Sequence, residues 1–401
     1  MENAPIYMDH HATTPVDERV LARMLPYFVE RFGNAASRAH SHGLAARNAV
    51  EAARAEVAGL VGAKPDDLIF TSGATESDNL AIRGVAEGRE ADGKHIVTVR
   101  TEHKAVLDSC AALERKGWQV TRLDVDQEGL VSPDAVADAL TDQTVLLSVM
   151  LANNEVGVVQ RLAEIGALAR ERGVLFHCDA AQGVGYLPFS VEDLQIDLAS
   201  FSAHKMYGPK GVGALFVREL VRTRGMLAAQ MHGGGHERGL RSGTLNVPGI
   251  VGFGAAASIL HKEGKTEAAR LESLRDALRD RLLGELEEVR LNGAAGPRHP
   301  GNLNLSFGYL DGPRLLLELG EVVSVSSGAA CSSAAQGLSY VLEAMGVPKA
   351  WSAASVRFGL GRHTTEDEVQ SVGDAVIEIV GRLRERSPLW ARKASGKPID
   401  W

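Results

Sequence analysis

Short apolar runs alternate with longer stretches of mixed character along the first half of the chain. The runs end in polar or glycine-containing turns, and the stretches between them carry alanine and leucine at helical spacings. This pattern predicts strands that alternate with helices, and hence an α/β fold with a mostly parallel, doubly wound sheet. The predicted strands lie at 6–8, 68–70, 95–99, 118–123, 145–150, 174–179 and 213–217, and the helices between them include 41–61, 133–140 and 162–172.

The last third of the chain has a different pattern. From about Thr266 leucines recur at spacings of three and four, which predicts an amphipathic helix. Strands near 302–307 and 322–326 then mix with helices near 313–319, 339–345 and 366–382. We therefore place a domain boundary near residue 261. The expected organisation is a large domain of residues 15–260 and a smaller α+β domain made of residues 1–14 and 261–401.

Composition narrows the classes of function. The 401 residues carry 43 basic and 51 acidic side chains, a formal charge of −8, which gives no basic surface for nucleic acid. No run of about 20 apolar residues predicts a membrane span, and the first residues do not resemble a secretory signal. Three cysteines are too few for a disulfide framework. We expect a cytoplasmic protein with no nucleic-acid partner, no membrane partner and no metal site.

Polar residues follow the predicted strands where a doubly wound sheet binds its ligands. The residues just beyond a strand end are Thr75, His103, Asn154 and Asp179. The segment 71–76 opens a helix, whose first amide groups would bind a phosphate near Ala74. A capping box of the Thr-x-x-Glu type would explain the same segment without a ligand.

The lysine at position 205 lies in an unusual sequence context. It follows Ser202 and His204 at the end of an apolar run, and a glycine-rich segment comes next. A lysine that reacts with a cofactor carbonyl as a neutral amine needs a desolvated position with close backbone approach. Asp179 precedes it by 26 positions, and a carboxylate against a pyridine nitrogen keeps the ring protonated. Lys205 and Asp179 together predict a pyridoxal 5'-phosphate site.

Neighbouring residues complete the predicted cofactor site. Gln182 could hydrogen-bond the ring hydroxyl, and His103 could stack on the ring and carry a proton. The expected contacts at the phosphate end are Ala74, Thr75, Ser202 and His204. Each residue alone has an ordinary structural explanation, and only their joint occurrence at consecutive strand ends predicts the site.

These segments resemble the cysteine desulfurases of the class V aminotransferase superfamily, and most of all their NifS/IscS-like branch. The matching segments occur in family order over nearly the whole chain. They read DHHATTPV from Asp9, FTSGATESDNLA from Phe70, EHKAVL from Glu102, NNEVGVVQ from Asn153, HCDAAQGVG from His177, SFSAHKMYGPKGVG from Ser200, GGGHERGLRSGT from Gly233, VSSGAACSS from Val325 and SVRFGLGRHTT from Ser355.

The resemblance implies a pyridoxal phosphate-dependent transferase of fold type I that works as a homodimer. It also implies that L-cysteine is converted into L-alanine, with the sulfur left as a persulfide on Cys331. An iron–sulfur cluster scaffold or another sulfur acceptor would then receive the sulfur, and Cys331 could ligate an iron–sulfur cluster transiently during transfer.

The resemblance assigns roles residue by residue. It gives the cofactor roles stated above to Lys205, Asp179, Gln182, His103, Thr75, Ser202 and His204. Asn154 and Arg357 match the groups that bind the substrate carboxylate, for which a guanidinium fork is well suited, and Asn154 is also expected to contact the cofactor. Thr244 matches a phosphate contact that is donated across the dimer.

The sequence around Cys331 suits a thiol that moves. Residues 326–337 are small and polar, and a loop with little apolar surface is weakly held. A free thiol has a pKa of about 8.5, so Cys331 needs a proton acceptor or positive surroundings to attack as thiolate. Cys110 and Cys178 instead lie in apolar helix and strand contexts, as small buried side chains do.

Two positions depart from the family pattern. Ala203 stands where glycine is common, and we expect it to be tolerated if its φ is negative. The loop reads Ala329-Ala330-Cys331-Ser332 where Ser-Ala-Cys-Thr is usual. Its length resembles the long loop of the NifS/IscS-like branch, which favours scaffold proteins as direct sulfur acceptors.

Two alternatives are open at this level. A selenocysteine lyase or another class V aminotransferase could share Lys205, Asp179 and Arg357, although an aminotransferase needs no mobile cysteine. A histidine-rich metal-binding or scaffold protein is the alternative from another class. However, His232 and His236 lie among glycines rather than on a helix, so their spacing gives no ligand geometry.

Overall fold

The structure, a computed structural model, describes residues 4–327 and 338–396. The strands are β1 Ile6–Tyr7, β2 Leu68–Thr71, β3 His95–Val99, β4 Gln119–Leu123, β5 Thr144–Ser148, β6 Leu175–Asp179, β7 Leu198–Ser202, β8 Gly213–Val217, β9 Val289–Leu291, β10 Asn302–Phe307, β11 Val323–Ser324 and β12 Ser355–Gly359. The helices are α1 Glu18–Met24, α2 Pro26–Val29, α3 Ser41–Val61, α4 Ala74–Gly88, α5 Lys104–Glu114, α6 Pro133–Ala139, α7 Leu162–Glu171, α8 Glu219–Thr223, α9 Val247–Glu285, α10 Gly312–Leu319, α11 Tyr340–Ala344, α12 Lys349–Ala353, α13 Glu366–Glu385 and α14 Pro388–Ala394.

A seven-stranded sheet forms the centre of the molecule, in the order β2-β8-β7-β6-β5-β3-β4. Its neighbouring strands are parallel except for β8, which runs antiparallel to both β2 and β7. Apolar cores lie on both faces: α3, α6, α7 and the first half of α9 pack on one, and α4 and α5 on the other. The predicted α/β fold with a mostly parallel, doubly wound sheet is therefore confirmed.

A smaller antiparallel sheet, in the order β12-β10-β9, follows in the carboxyl-terminal part. The second half of α9, α10 and α13 cover it and share its apolar core. Strand β1 pairs in parallel with β11, so the beginning of the chain joins this region. Met8 belongs to the same core.

Helix α9 links the two regions and differs from the sequence-based prediction. The helix expected from about Thr266 begins at Val247 and has 39 residues. Its first half is buried on most sides and therefore shows no apolar stripe; at Gly254 a Cβ would lie 2.6 Å from Ala53 Cα of α3. Neither α9 nor any other helix within residues 4–327 and 338–396 is apolar over a length that could cross a bilayer.

Candidate active site

A cavity of about 610 Å³ lies beyond the carboxyl ends of β6 and β7, beside the starts of α4 and α5. Nine residues that the sequence predicted for the site line this cavity: Ala74, Thr75, His103, Asn154, Asp179, Gln182, Ser202, His204 and Lys205. The carboxyl edge of the parallel sheet brings these distant parts of the chain together, as expected for a doubly wound fold.

Lys205 lies in a 3-10 turn, Ala203–Lys205, that directly follows β7. Its Nζ donates to the carbonyl oxygen of His11 and, at 3.0 Å, to that of Ala12. These carbonyls hold the amine at the cavity. Ala203 is fully buried and is not among the described residues with positive φ, so the condition under which alanine is expected to be tolerated there is met.

Asp179 ends β6 and is almost completely buried. Its Oδ1 accepts a hydrogen bond from the amide of Ala181 at 2.9 Å. Burial raises the pKa of Asp179, whereas His103, the Ala181 amide and Lys205 lower it. A cationic ring nitrogen beside this carboxyl group would also favour its charged form.

His11 joins Lys205 to Gln182. Its carbonyl oxygen accepts from Lys205 Nζ and, at 3.0 Å, from Gln182 Nε2, while its Nδ1 lies 3.2 Å from Gln182 Oε1. Burial, with smaller contributions from His299 and Arg357, lowers the pKa of His11 well below its usual value. His11 is therefore neutral, and its contacts fix the position of the Gln182 side chain relative to the Lys205 amine.

The start of α4 faces the cavity through Gly73, Ala74 and Thr75. The N-cap is Gly73, with φ of 151°, and it has no side chain to accept from the first amides. Glu76 accepts instead from the Ser72 amide at 2.7 Å and pairs with Arg241. The capping-box interpretation is therefore wrong, because the residue three positions before Glu76 is glycine. A helix start of this kind binds anions.

Two histidines of the cavity have different environments. His103 is the N-cap of α5, and its Nδ1 accepts from the Ala105 amide at 3.2 Å. That nitrogen carries no proton, so the proton of the neutral ring lies on Nε2. His204 Nδ1 lies 3.1 Å from Thr13 Oγ1, and burial, followed by Lys205 and Lys210, lowers the pKa of His204 to about 4.

Arg357 does not line the cavity but contacts a residue that does. Its Nη1 donates to the Asn154 carbonyl at 2.8 Å, and its Nη2 donates to Asp9 Oδ1 at 2.6 Å. Among the described residues, Arg357 Nε and Asn154 Oδ1 are buried polar atoms with no hydrogen-bond partner. Such atoms are rare in folded proteins and indicate a position for a polar ligand.

Thr244 and Cys331 are the remaining predicted site residues. Thr244 is exposed and does not line the cavity of its own chain. Cys331 lies outside the described residues. The sequence interpretation assigned no role to Asp9, His11 or Lys210, although all three occur within segments that carried the resemblance.

The histidine-rich metal-binding alternative gains no support from the described part of the chain. Residues 4–327 and 338–396 contain no group of three or more His, Cys, Asp or Glu side chains that could hold a metal ion. His236 Nδ1 instead accepts from the Gly243 amide at 3.2 Å, a local contact within its loop.

The lining of the cavity fits pyridoxal 5'-phosphate. It supplies an amine at Lys205, a buried carboxyl group at Asp179 and a glycine-capped helix start at α4. It also contains the unpartnered oxygen Asn154 Oδ1. The amine suits the aldehyde of the cofactor, the carboxyl group suits its pyridine nitrogen, and the helix start suits its phosphate.

Comparison with known sequences identifies the family. The chain matches the family model for aminotransferase class-V over residues 6–372. A protein named cysteine desulfurase IscS from Anaeromyxobacter sp. (strain Fw109-5) is 57% identical over 400 residues, which are 99% of this chain and 98% of that protein. One of the same name from Neisseria meningitidis serogroup C / serotype 2a is 50% identical, again over 99% of this chain and 98% of the relative.

Solved structures agree with the sequence comparison. A NifS-like protein shares 38% identity with a TM-score of 0.88, covering 94% of this chain and all of that one. A structure described as SspA in complex with cysteine shares 35% identity with a TM-score of 0.79, covering 90% of this chain and 100% of the other. Enzymes of this family depend on pyridoxal phosphate. The chain therefore belongs to the class-V aminotransferase family and, within it, to the cysteine desulfurases.

Proposed function

We propose that this chain converts L-cysteine into L-alanine with pyridoxal 5'-phosphate and leaves the sulfur as a persulfide on Cys331. The observation that carries the proposal is the cavity shared by Lys205, Asp179 and the start of α4. In this reaction the C–S bond of the substrate cysteine breaks, and the substrate sulfur forms an S–S bond to Cys331 Sγ. L-cysteine and an enzyme thiol thus give L-alanine and an enzyme persulfide.

Pyridoxal phosphate, when bound, supplies an electron sink that weakens bonds at the substrate α-carbon. Lys205 Nζ would bind the cofactor covalently. Asp179 would keep the ring nitrogen of the cofactor protonated, and Gln182 would bind the ring oxygen. The phosphate would be bound at the start of α4 by Ala74, Thr75, Ser202 and His204. Because burial keeps His204 neutral near pH 7, that residue would contribute a hydrogen bond rather than a charge.

His103 and Arg357 would act on the substrate. Since His103 Nδ1 is engaged by the Ala105 amide, only Nε2 is placed to exchange a proton with a ligand in the cavity. Arg357 and Asn154 would bind the substrate carboxylate, and the unpartnered Arg357 Nε is a donor available for it. The structure described as SspA in complex with cysteine supports a cysteine-binding site in this fold.

We also infer a homodimer in the cytoplasm whose sulfur acceptor is an iron–sulfur scaffold or another carrier. Thr244 is exposed and does not line its own cavity, which suits a contact donated to the partner subunit's phosphate site. A reducing compartment suits the reaction because Cys331 must begin as a free thiol.

The division into residues 15–260 and residues 1–14 with 261–401 is part of this proposal. In its support, Met8 shares a core with side chains from Leu271 to Val380. The core on the α3 face of the central sheet draws its side chains from Val20 to Leu260.

The test compares the wild type with Cys331→Ala and Cys110→Ala. Cys110 is a matched control because burial raises the pKa of its thiol to about 12, so it does not form a thiolate. The wild type should carry the visible absorbance of pyridoxal phosphate and release alanine from L-cysteine. Cys331→Ala should keep the absorbance and lose roughly 100-fold or more of the alanine formation, and Cys110→Ala should match the wild type.

Undiminished alanine formation by Cys331→Ala would refute the persulfide role. A preference for selenocysteine, or formation of a keto acid rather than alanine, would favour the lyase or the aminotransferase alternative.

A further inference from the structure

A row of buried polar side chains crosses the central sheet next to the cavity. Thr98 of β3 is aligned with Ser148 of β5, which is aligned with His177 of β6. Ser200 of β7 and Asp78 of α4 extend the row, and all five residues are 0% exposed. The proposed reaction uses none of them, although polar groups are costly to bury. His177 and Asp179 are two positions apart on β6 and so point to the same face of the sheet.

Close contacts connect the members of this row. His177 Nδ1 lies 2.8 Å from Ser148 Oγ, and His177 Nε2 lies 3.0 Å from Ser200 Oγ. Asp78 Oδ1 lies 3.6 Å from His177 Nε2, and the Ser200 hydroxyl is close enough to influence the Asp78 carboxyl group. Among the described residues, neither oxygen of Asp78 has a hydrogen-bond partner. An ionised carboxylate would be poorly stabilised there.

The groups that face Asp78 disfavour its ionised form. Burial, then Asp179 of β6 and Glu102 from the segment before α5, raise the pKa of Asp78 well above its usual range, although the Ser200 hydroxyl lowers it. Burial lowers the pKa of His177 to about 3, so its ring is neutral and gives no cation to pair with. Cys178, which lies between His177 and Asp179 on β6, has a pKa raised well above its usual value by burial and by the carboxyl groups of Asp179, Glu102 and Asp78.

The row can be hydrogen-bonded in two directions. With Asp78 ionised, Ser200 would donate to Asp78, His177 Nε2 would donate to Ser200, and Ser148 would donate to His177 Nδ1. With Asp78 as the acid, each of these bonds would reverse: Asp78 would donate to Ser200, Ser200 to His177 Nε2, and His177 Nδ1 to Ser148. The state of Asp78 therefore fixes which nitrogen of His177 carries the proton.

We propose that Asp78 is a positioning residue, held as the uncharged acid, that keeps His177 in its Nδ1–H form and leaves the negative charge of the cavity lining on Asp179. The inference rests on the proposed function, because the cofactor gives Asp179 its role. A second charge at Asp78 would oppose ionisation of Asp179, and the neutral acid avoids this.

The test is the protonation form of His177 in the holoenzyme labelled with ¹⁵N-histidine, whose two ring nitrogens give separate signals. The signals are assigned by their loss in His177→Gln. The wild type should show the Nδ1–H form from about pH 6 to about pH 9. In Asp78→Asn the amide can donate to Ser200 as the acid does, so the His177 form and the pH dependence of the cofactor absorbance should stay unchanged. Asp78→Ala should mix the two forms and weaken cofactor binding about fivefold.

A wild-type His177 that carries its proton on Nε2 would overturn the proposal. So would a shift of more than about half a pH unit in the cofactor absorbance of Asp78→Asn, if Asp108→Asn gives no such shift. Asp108 is an exposed carboxylate of α5 and controls for the loss of one charge. These measurements need no turnover, so their result does not depend on whether L-cysteine is the substrate. If the protein bound no pyridoxal phosphate, that result would refute the proposed function rather than the role of Asp78.

Discussion

Arg357 Nη2 lies 2.6 Å from Asp9 Oδ1, and this ion pair joins residues 348 positions apart in the chain. The other oxygen of Asp9 accepts from Ser326 Oγ at 3.0 Å. Asp9 thus connects the guanidinium group beside Asn154 to the segment that leads into the Cys331 loop. We infer that substrate binding depends on residue 9 as well as on Arg357.

Asp9→Asn should raise the KM for L-cysteine about tenfold with a smaller loss in kcat, because the guanidinium loses the charged partner that orients it. Arg357→Lys should have a larger effect, since one ammonium group cannot replace the fork that contacts both Asp9 and Asn154. Steady-state kinetics give both constants. Ser326→Ala is the control, because it leaves the ion pair intact. A loss confined to kcat would argue against a role in substrate binding.

His103→Asn should lower kcat roughly 100-fold or more while the cofactor absorbance and the unfolding midpoint stay near those of the wild type. Asparagine is a good N-cap and so replaces the contact to the Ala105 amide, but it cannot carry the proton of Nε2. The matched control is His40→Asn, since His40 caps α3 through the same ring nitrogen at 3.2 Å from the Gly43 amide. Equal activity in the two variants would remove His103 from the proton transfer.

Glu155 should make stability fall as the pH rises towards neutrality. It is almost completely buried, and Ser339 Oγ donates to its Oε2 at 2.5 Å. Burial raises its pKa from 4.5 to about 7, although Ser339 and Arg357 lower it. Because the folded-state pKa exceeds the unfolded one, the stabilising contribution is complete below about pH 4.5 and is lost as the pH rises through 7.

Glu155→Gln should abolish that dependence. Between about pH 4.5 and about pH 8, the free energy of unfolding of the wild type should fall by about 3 kcal/mol relative to the variant. Urea unfolding at both pH values measures the difference. Glu171→Gln, at an exposed position of α7, should follow the wild type. Parallel pH curves for the wild type and Glu155→Gln would show that the carboxyl group titrates normally.

Gly213→Ala should disturb the cofactor site through the backbone. A Cβ at position 213 would lie 2.4 Å from Phe201 O and 2.6 Å from the Cα of Gly73, which caps α4. We expect a loss of about 2 kcal/mol or more in stability and weaker cofactor binding. Gly59→Ala, within α3 and with no atom inside 4 Å, should instead stabilise by about 0.5–1 kcal/mol. Thermal unfolding measures the stability of both variants, and cofactor titration measures their binding. Equal stability and equal cofactor binding in the two variants would contradict the prediction.

The sequence predicted the parts of the site that depend on local pattern. Asp179 and His103 follow apolar runs, and a parallel sheet places the ends of such runs at one edge, so their meeting in the cavity could be expected. Lys205 could be recognised because its small and polar neighbours are unusual around a lysine.

The sequence could not predict contacts that depend on long-range pairing. The Asp9–Arg357 ion pair requires the start of the chain to lie beside β12, where Asp9 forms an isolated bridge with Gly359. Asp78 looked like an ordinary polar position of α4, because its burial comes from the packing of that helix on the central sheet. The sequence did not predict the start of α9, because the first half of this helix is buried on most sides and therefore has no polar face that would reveal a helical pattern.

Helix α9 also has a consequence for how the protein opens. Its first half belongs to the core of the central sheet and its second half to the core of the smaller sheet. Amide groups along a continuous helix depend on carbonyl groups one turn away, so loss of either core exposes hydrogen bonds of the other half. Slowly exchanging amides of both sheets should therefore open with the same free energy, as a single cooperative unit.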